Sequence, residues 1–295
     1  MSGVEAGRLG VNKTFKQYIG GAFERSESGR SYPVYGADGA LLAHAVQGSR
    51  KDIRAAVGSA RAAQPGWAGR TAYNRGQILY RIAEVMESRR AEFCAELSRS
   101  GNGATAQDAE AETAAAIDRW VWYAGWADKY VSVLGGANPV AGPYFNLSVP
   151  EPTGVVGVVG PDDHPLLGLV SRLAPVIVAG NTAVVVASEH RPLVAVTLAE
   201  TLALSDVPAG VVNICTGHRL EMVLPLADHA DVNGLDLTGC DAELAADAQR
   251  RAAATITRVA VATEAERRWF SADAQSPYLI DAFCETKTVW HPKGR

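Results

Sequence analysis

The second half of the chain alternates short apolar runs with longer stretches in which apolar positions recur at helical spacing. The short runs predict five strands, at residues 155–159, 183–186, 211–215, 234–238 and 256–262. The longer stretches predict helices between them, at residues 166–178, 192–204, 219–227 and 242–254. Apolar strands separated by helices are typical of parallel strands buried on both faces. The pattern therefore predicts an α/β fold built on a doubly wound, open parallel sheet.

The first half of the chain opens with a polar segment at residues 1–15, which is expected to be flexible. Two short strands around a turn are predicted at residues 18–23 and 32–35. A helix is predicted over residues 49–63, where Ser49 and Asp52 have the spacing of a capping box.

Two further helices are predicted from an apolar stripe at helical spacing. The first covers residues 74–98 and is expected to end at Gly101-Asn102-Gly103, because glycine favours helix termination. The second covers residues 106–133 and carries four clustered aromatic residues, Trp120, Trp122, Tyr123 and Trp126. We interpret that cluster as packing under a neighbouring layer, and a binding platform is the alternative.

Composition excludes several classes of protein. Apolar residues make up 47% of the 295 residues and charged residues 20%, which is typical of a folded globular chain. Lys and Arg number 28 against 32 for Asp and Glu, a formal net charge of −4, so neither nucleic acid nor an anionic membrane is an expected partner. No apolar run approaches the roughly 20 residues that span a bilayer, and the first residues lack the apolar core of a signal peptide. The cysteines are widely spaced, which predicts free thiols and a cytoplasmic location. They are Cys94, Cys215, Cys240 and Cys284.

A set of motifs in a fixed order carries a family resemblance. The longest are Glu151-Pro152-Thr153-Gly154-Val155-Val156-Gly157-Val158-Val159-Gly160-Pro161, Ala179-Gly180-Asn181-Thr182 and Pro208-Ala209-Gly210-Val211-Val212-Asn213. Shorter ones are Ile19-Gly20-Gly21, Pro65-Gly66-Trp67, Tyr123-Ala124-Gly125-Trp126-Ala127, Leu173-Ala174-Pro175 and Ser188-Glu189. Together they resemble the front half of the NAD(P)-dependent aldehyde dehydrogenase superfamily. The resemblance implies a Rossmann-type NAD domain at residues 16–271, which includes the N-terminal helices and a β-arm strand at 143–153.

The resemblance implies a reaction in which a cysteine thiolate attacks an aldehyde and a hydride passes to NAD(P). An amide in the turn after the first sheet strand would hold the oxyanion, but that turn here is Pro161-Asp162-Asp163-His164-Pro165. Asp163 takes the place of the amide, and a carboxylate repels a developing oxyanion. The general base would follow the last sheet strand, where Ala262 stands in its place, with Glu264 or Glu266 as nearby alternatives.

The cofactor motifs of the family are also altered. Val186 replaces the lysine that would bind the adenosine ribose, and Glu189 is interpreted as a structural acid at a helix start, or else as a ribose ligand. Met222 stands near an expected glycine, and the turn beginning Thr238-Gly239 loses its second glycine. Side chains thus stand where backbone must approach a pyrophosphate. We therefore predict that the chain binds no cofactor, with NAD(P) as the alternative.

The segment that carries the nucleophilic cysteine in the resembled family is not present in this sequence. No other cysteine replaces that nucleophile convincingly. Cys284 belongs to the closing strand, and Cys240 at a helix start has Asp241 beside it, so both are interpreted as small buried hydrophobes. Asp162, Asp163 and His164 could bind a metal only if three consecutive side chains faced one ion, so no metal site is predicted. These departures predict a pseudoenzyme.

The end of the chain resembles the last strand of the family, and it follows the NAD-like domain without the catalytic domain that normally separates them. Residues 272–295 are therefore predicted to form a C-terminal oligomerisation tail whose strand pairs with the β-arm. The predicted oligomerisation residues are Phe145, Leu147, Val149, Thr286, Lys287, Thr288, Val289 and Trp290. An exposed strand of this kind is suited to adding to a partner's sheet.

This layout is similar to the inactive second module of the two-module family-16 aldehyde dehydrogenases. It predicts a non-catalytic subunit that assembles with itself or with a full-length aldehyde dehydrogenase, as a scaffold or regulator. The alternative hypothesis is a weak NAD(P)-dependent aldehyde oxidoreductase or a nucleotide-binding sensor.

Overall fold

A computed structural model describes residues 13–100 and 105–294 of the protein. The strands are β1 Gln17–Ile19, β2 Ala22–Glu24, β3 Ser31–Tyr35, β4 Leu41–Val46, β5 Gly136–Ala137, β6 Tyr144–Pro152, β7 Val155–Val159, β8 Thr182–Val186, β9 Val212–Cys215, β10 Gly234–Asp236, β11 Arg258–Ala260 and β12 Cys284–Pro292. The helices are α1 Arg50–Ala68, α2 Ala72–Ser88, α3 Arg90–Ser100, α4 Ala106–Ala124, α5 Tyr130–Leu134, α6 Leu167–Val178, α7 Leu193–Ala203, α8 Arg219–Ala227, α9 Ala242–Ala252 and α10 Pro277–Asp281. Short 3₁₀ turns lie at Ala253–Thr255 and Ala272–Ala274.

The central sheet has the strand order β11-β10-β7-β8-β9-β1-β2. The first five strands in that order are parallel, and helices connect them in the chain. The predicted parallel α/β sheet is therefore confirmed. The hairpin of β1 and β2 extends the sheet, with β1 antiparallel to β9. The sequence predicted strand structure there but did not place it in this sheet.

The innermost strands are apolar because both faces are covered by helices. All residues of β7 and of β8 are buried, and so is every residue of α6. The capping box that begins α1 is confirmed, since Ser49 and Asp52 satisfy each other's backbone N–H groups. A protein interior packed in this way leaves little tolerance for side chains of other sizes.

Two predicted long helices are each divided in the structure. The predicted helix at 74–98 is wrong as a single element, because Arg89 leaves helical geometry between α2 and α3 while its guanidinium binds Glu92 and Glu200. Periodicity misses this break because the apolar stripe continues across it. The predicted stop at Gly101-Asn102-Gly103 lies outside the described residues.

The second division follows α4, which ends at Gly125 before α5 begins. The predicted helix at 106–133 therefore joined two elements. Trp120 and Tyr123 are fully buried, as the packing interpretation predicted, and Trp122 and Trp126 pack partly exposed against them.

A separate three-stranded sheet has the order β12-β6-β5. β12 pairs antiparallel with β6 along nine residues, so the predicted pairing of the closing strand with the β-arm is confirmed. Two predicted boundaries differ from the structure. Phe15 is buried and pairs with Ala45, so the loose N-terminal segment does not include it. Ile280 and Phe283 are buried in the core, so the exposed tail begins only within β12 and not at residue 272.

Across residues 13–100 and 105–294, every helix is too short or too polar to cross a bilayer.

Candidate functional site

The turns that follow the parallel strands meet at the carboxyl edge of the central sheet. The turn after β7 contains Asp162, the loop after β8 contains Glu189, and α8 begins at Arg219 after β9. Open parallel sheets bind ligands in the crevice at this edge, where the strand order reverses. In this sheet the reversal lies beside β7, which is flanked by β8 and β10. This crevice is therefore the candidate functional site.

The guanidinium of Arg219 joins the start of α8 to the turn after β7. It donates to the carbonyl oxygen of Gly160 at 2.7 Å and to both carboxylate oxygens of Asp162, at 2.5 and 2.8 Å. Ser188 donates a further hydrogen bond to Asp162 at 2.5 Å. Burial by itself would raise the pKa of Asp162, but the hydrogen bonds from Arg219 and Ser188 outweigh it and hold that pKa below its usual value. The crevice thus contains a charge-assisted, bidentate pair of its own side chains.

Glu189 caps helix α8. One of its carboxylate oxygens accepts from the backbone N–H of Arg219 and the other lies 2.9 Å from Nδ1 of His218. Burial would raise the pKa of Glu189, yet these two partners lower it. Both oxygens are engaged within the chain, which supports the structural interpretation of Glu189 over the ribose-binding one.

Two positions where the resembled family has glycine, 239 and 222, determine how closely the turns around the crevice pack. Gly239 donates from its backbone to the carbonyl of Val159, and a Cβ on Gly239 would lie 2.2 Å from the carbonyl oxygen of Gly160. The turns after β7 and β10 therefore touch through their backbones. Met222 is fully buried against Gly48 and Gly217, and Val186 is fully buried within β8. These are packing roles, and neither side chain offers a group to a nucleotide.

Asp163 is exposed, and its carboxylate is engaged by a neighbouring side chain. Its carboxylate accepts a hydrogen bond from the indole Nε1 of Trp269 at 2.7 Å, and Trp269 is 2% exposed. The indole lies against α6 beside Gly168, where an added Cβ would be 3.4 Å from the ring. The position of the oxyanion amide in the resembled family is thus occupied by a carboxylate that binds the segment linking β11 to β12.

Two buried or half-buried arginines attach that linking segment to the domain. Arg119 donates to the carbonyl oxygen of Trp269 at 2.8 Å, to the carbonyl oxygen of Ala274, and to the hydroxyl of Ser171. Arg267 donates to the carbonyl oxygen of Thr238 at 2.6 Å. The segment is therefore packed as part of the domain.

A buried ion pair lies beneath the segment. Arg172 donates to Asp236 at 2.6 Å, and both side chains are almost completely buried. Glu266 lies 3.8 Å from Arg172 and accepts the backbone N–H of Thr263. The Glu266 carboxylate therefore stabilises the turn at Thr263 and lies near the buried ion pair. Ala262 is buried and Glu264 is exposed.

The two cysteines considered as nucleophiles are held as neutral thiols. Burial raises the pKa of Cys284 to about 12, and it likewise raises the pKa of Cys240 to about 12. Cys284 also donates to the carbonyl of Ile280 within the chain. A thiolate is the reactive form, so neither thiol is activated.

The Asp162, Asp163 and His164 side chains diverge to three different partners: Arg219, Trp269 and Glu112. They do not converge on one point, as metal ligands must. In the part of the chain that the structure describes, no three His, Cys, Asp or Glu residues are arranged to hold an ion.

His164 is expected to titrate above its ordinary value of 6.5. Its Nδ1 lies 3.2 Å from Glu112, whose other oxygen accepts the backbone N–H groups of Leu166 and Leu167 at the start of α6. That contact raises the pKa of His164 more than burial lowers it. The stabilisation from the charged pair is present below pH 6.5 and is lost as pH rises through the folded-state pKa. NMR titration of the imidazole should show the raised pKa, and Glu112→Gln should lower it. An unchanged midpoint in that variant would contradict the assignment.

The functional residues that sequence reasoning missed are arginines. Arg119, Arg172 and Arg219 are each mostly buried. Arg119 binds the segment after β11, Arg172 pairs with Asp236, and Arg219 pairs with Asp162. The sequence did contain a signal for Arg172, because it is a charged residue within an otherwise apolar helix. A charged side chain is rarely buried in such a helix without a partner. No comparable signal marks Arg219, whose partners come from distant turns.

Comparison with known proteins agrees with the fold and motifs. The sequence profile of the Aldehyde dehydrogenase family matches residues 23–270. The chain is 32% identical over 231 residues to Retinal dehydrogenase 2 of Homo sapiens, covering 77% of this chain and 44% of that protein. It is 33% identical over 250 residues to the Putative aldehyde dehydrogenase DhaS of Bacillus subtilis, covering 83% of this chain and 50% of that protein. The chain thus spans about half the length of the curated relatives it matches.

Solved structures give the same assignment. HpcC from Thermus thermophilus has a TM-score of 0.80 and 29% identity, over 84% of this chain and 48% of that one. An NAD⁺ complex of an aldehyde dehydrogenase from Bacillus cereus has a TM-score of 0.78 and 26% identity, over 84% of this chain and 50% of that one. From its motifs, its parallel sheet and these matches, the chain belongs to the aldehyde dehydrogenase family.

Proposed function

We propose that this chain is a non-catalytic member of the family that assembles with itself or with a full-length aldehyde dehydrogenase, as a scaffold or regulator. The observation that carries the proposal is the bidentate ion pair of Arg219 with Asp162 at the carboxyl edge of the sheet. A dinucleotide in this crevice would bring its pyrophosphate to the helix start where Arg219 now contacts Asp162. Binding would have to break that pair and bring an anion beside a carboxylate.

The remaining catalytic requirements point the same way. Asp163 is bonded to Trp269, so it offers no hydrogen-bond donor to an oxyanion. Ala262 carries no group that could accept a proton. Cys240 and Cys284 are neutral thiols at physiological pH, and burial is the cause for both. The proposal therefore rests on several separate positions within the described chain.

The part assigned to assembly is the β-arm. The residues of β12 after Cys284 are exposed, and Phe145 on β6 is 47% exposed beside them. Large exposed apolar side chains on a strand are typical of interaction surfaces. The four free cysteines support a reducing compartment such as the cytoplasm. The similarity to the second module of family-16 enzymes remains part of this proposal.

A second candidate function is an NAD(P)-dependent oxidoreductase or a nucleotide sensor. One observation favours it: a cleft of about 690 Å³ opens at the crevice itself, between the β3 strand and the loop after β8. Asp162, Glu189 and His218 of the crevice line it, together with Tyr32, His190 and Arg191. The related Bacillus cereus protein forms a complex with NAD⁺.

Thermal melting with NAD or NADP separates the two candidates. A ligand at 100 times its Kd stabilises a protein by about 2.7 kcal/mol, so a binder shows an upward shift of its melting temperature. We expect no shift at millimolar cofactor for this chain, and a shift for a relative such as the Bacillus subtilis protein measured beside it. An upward shift in this chain, or NADH formed with any aldehyde, would contradict the non-catalytic proposal.

A matched pair of variants tests whether the ion pair of Arg219 with Asp162 is the cause. The variant Arg219→Gly/Asp162→Ser removes that ion pair, and we expect it to gain a cofactor-dependent shift that the wild type lacks, smaller than that of the Bacillus subtilis protein because Val186 and Met222 still offer no group to a nucleotide. The control is Arg251→Ser/Asp228→Ser, which removes an exposed ion pair and should gain nothing. Equal behaviour of the two variants would show that the Arg219 pair is not what excludes the cofactor.

A further inference from the structure

The hydrogen bonds at the two ends of the β12–β6 pairing show which residues of β12 point their backbone groups away from β6. Thr153 donates its backbone N–H to Phe283, and Lys293 donates to Pro143, on either side of the paired region. In an antiparallel ladder, hydrogen-bonded pairs alternate with non-hydrogen-bonded ones. The odd-numbered residues of β12 therefore bond to β6, and the even-numbered residues direct their N–H and C=O groups away from it.

The other side of β6 gives an independent check. Asn138 donates its backbone N–H to Asn146, so the even-numbered residues of β6 face β5 and the odd-numbered ones face β12. This agrees with the assignment made from the two ends of β12. The outward backbone groups of β12 therefore belong to Thr286, Thr288 and Trp290, together with Cys284 and Pro292 at the ends.

Among residues 13–100 and 105–294, no strand covers this outer edge, because β12 is the terminal strand of its sheet. Every residue from 285 to 292 is exposed. The carbonyl of Cys284 is the exception along the edge, since Arg258 donates to it at 2.5 Å. Unpaired strand edges of this length are normally covered by another strand or blunted.

The edge is complementary to itself. Two copies of β12, antiparallel and overlapping from Glu285 to His291, share a two-fold axis at Thr288, which leaves the carbonyl of Cys284 to Arg258. Thr288 then lies opposite its own copy, and Thr286 lies opposite Trp290 in both directions. All of these are even-numbered residues, so every outward N–H meets an outward C=O.

Side-chain charges favour the same register. Glu285, whose carboxylate binds Arg258 of its own chain at 2.7 Å, lies opposite the imidazole of His291 of the other copy. Moving the axis to residue 287 would instead set Lys287 against Lys287, and like charges directly opposite are destabilising. Moving it to residue 289 would set Lys287 against His291. Of these three registers, the one centred on Thr288 sets Lys287 opposite Val289 and Glu285 opposite an imidazole.

We propose that β12 pairs with β12 of a second copy of this chain, antiparallel about Thr288, and joins two three-stranded sheets into one six-stranded sheet. The inference rests on the proposed assembly function and deepens it by naming the partner and the residues that meet. Lys287 remains bound to Glu151 of its own arm at 3.0 Å, so it does not oppose the pairing.

Oxidative cross-linking of the purified full chain tests the register. In a hydrogen-bonded antiparallel pair the Cα atoms are about 5.5 Å apart, within the span of a disulfide. Thr288→Cys is therefore expected to give a covalent dimer. The matched control Thr286→Cys should not, because its copy lies about 13 Å away along the strand. Cross-linking of Thr286→Cys alone, or of both variants equally with the wild type, would overturn this register.

Native mass and a pair of proline variants test the backbone contact. We expect the wild type to have twice the mass of one chain. Thr288→Pro removes an outward N–H, so it should be a monomer that melts near the wild-type temperature, as proline is tolerated on a strand edge. Val289→Pro removes an N–H bonded to β6 and should lower the melting temperature.

Two further outcomes of the native-mass measurement bear on the self-pairing proposal and on the non-catalytic proposal in different ways. A wild-type monomer at high concentration overturns the self-pairing, and so does a complex formed only with a full-length relative. Neither result affects the non-catalytic proposal, which fails instead if the chain binds NAD or oxidises an aldehyde. The two proposals therefore stand or fall on separate measurements.

Discussion

Replacing Arg172 with methionine is expected to lower the free energy of unfolding by about 3–5 kcal/mol. Arg172 and Asp236 form a 2.6 Å ion pair, with side chains only 4% and 1% exposed. Methionine keeps much of the arginine stem, so the loss comes mainly from leaving the Asp236 carboxylate without its cation. An uncompensated charge in a dry interior is among the most costly defects that a single substitution makes.

Urea unfolding of further variants separates charge from packing. Arg172→Met/Asp236→Leu removes both charges and should recover most of the lost stability, because an apolar pair replaces the ion pair. Arg251→Met removes one partner of an exposed pair with Asp228 and should leave the free energy of unfolding almost unchanged. A double variant as unstable as Arg172→Met would show that packing, and not the unpaired charge, is the cause.

The arrangement of strands and helices could be predicted because it follows from local patterns. Runs such as Val155-Val156-Gly157-Val158-Val159 are apolar at every position, and that is typical of a strand covered on both faces. Breaks within helices could not be predicted in the same way. Arg89 ends α2 through contacts to Glu92 and Glu200, and the second of these lies far away in the sequence.

The candidate site shows the same limit. The motifs identified which positions have changed, such as Asp163 and Ala262, because position within a motif is a local property. The motifs could not show which side chains now contact one another at the crevice. Arg219 reaches Gly160 across separate turns, and Trp269 reaches Asp163 from the segment after β11. Contacts of this kind depend on the path of the whole chain.

The tail boundary was misplaced for a related reason. Residues 272–283 were grouped with the closing strand because they follow the resembled domain, yet several of their apolar side chains pack into the core. Phe283 shows how this happens. Its carbonyl accepts the backbone N–H of Thr153 and the side-chain amide of Asn181, and its ring lies against Gly234.

Phe283→Ala is therefore expected to lower the free energy of unfolding by about 3–5 kcal/mol, which is typical of removing a buried phenylalanine ring. The ring is 2% exposed and occupies the space above Gly234, where an added Cβ would lie 2.6 Å from it. The matched control is Phe270→Ala, since that ring is 54% exposed and its removal should change stability by no more than about 0.5 kcal/mol. Urea unfolding of both variants gives the comparison.

The same substitution also separates two views of the closing strand. If Phe283 anchors β12 to the domain, then Phe283→Ala loosens β12 as well as the core, and amide exchange along β12 should quicken more than in Phe270→Ala. If β12 is an independent tail, its exchange should be equal in both variants even though global stability falls. The first result is expected, because β12 begins one residue after a ring that is buried against β10, within the central sheet.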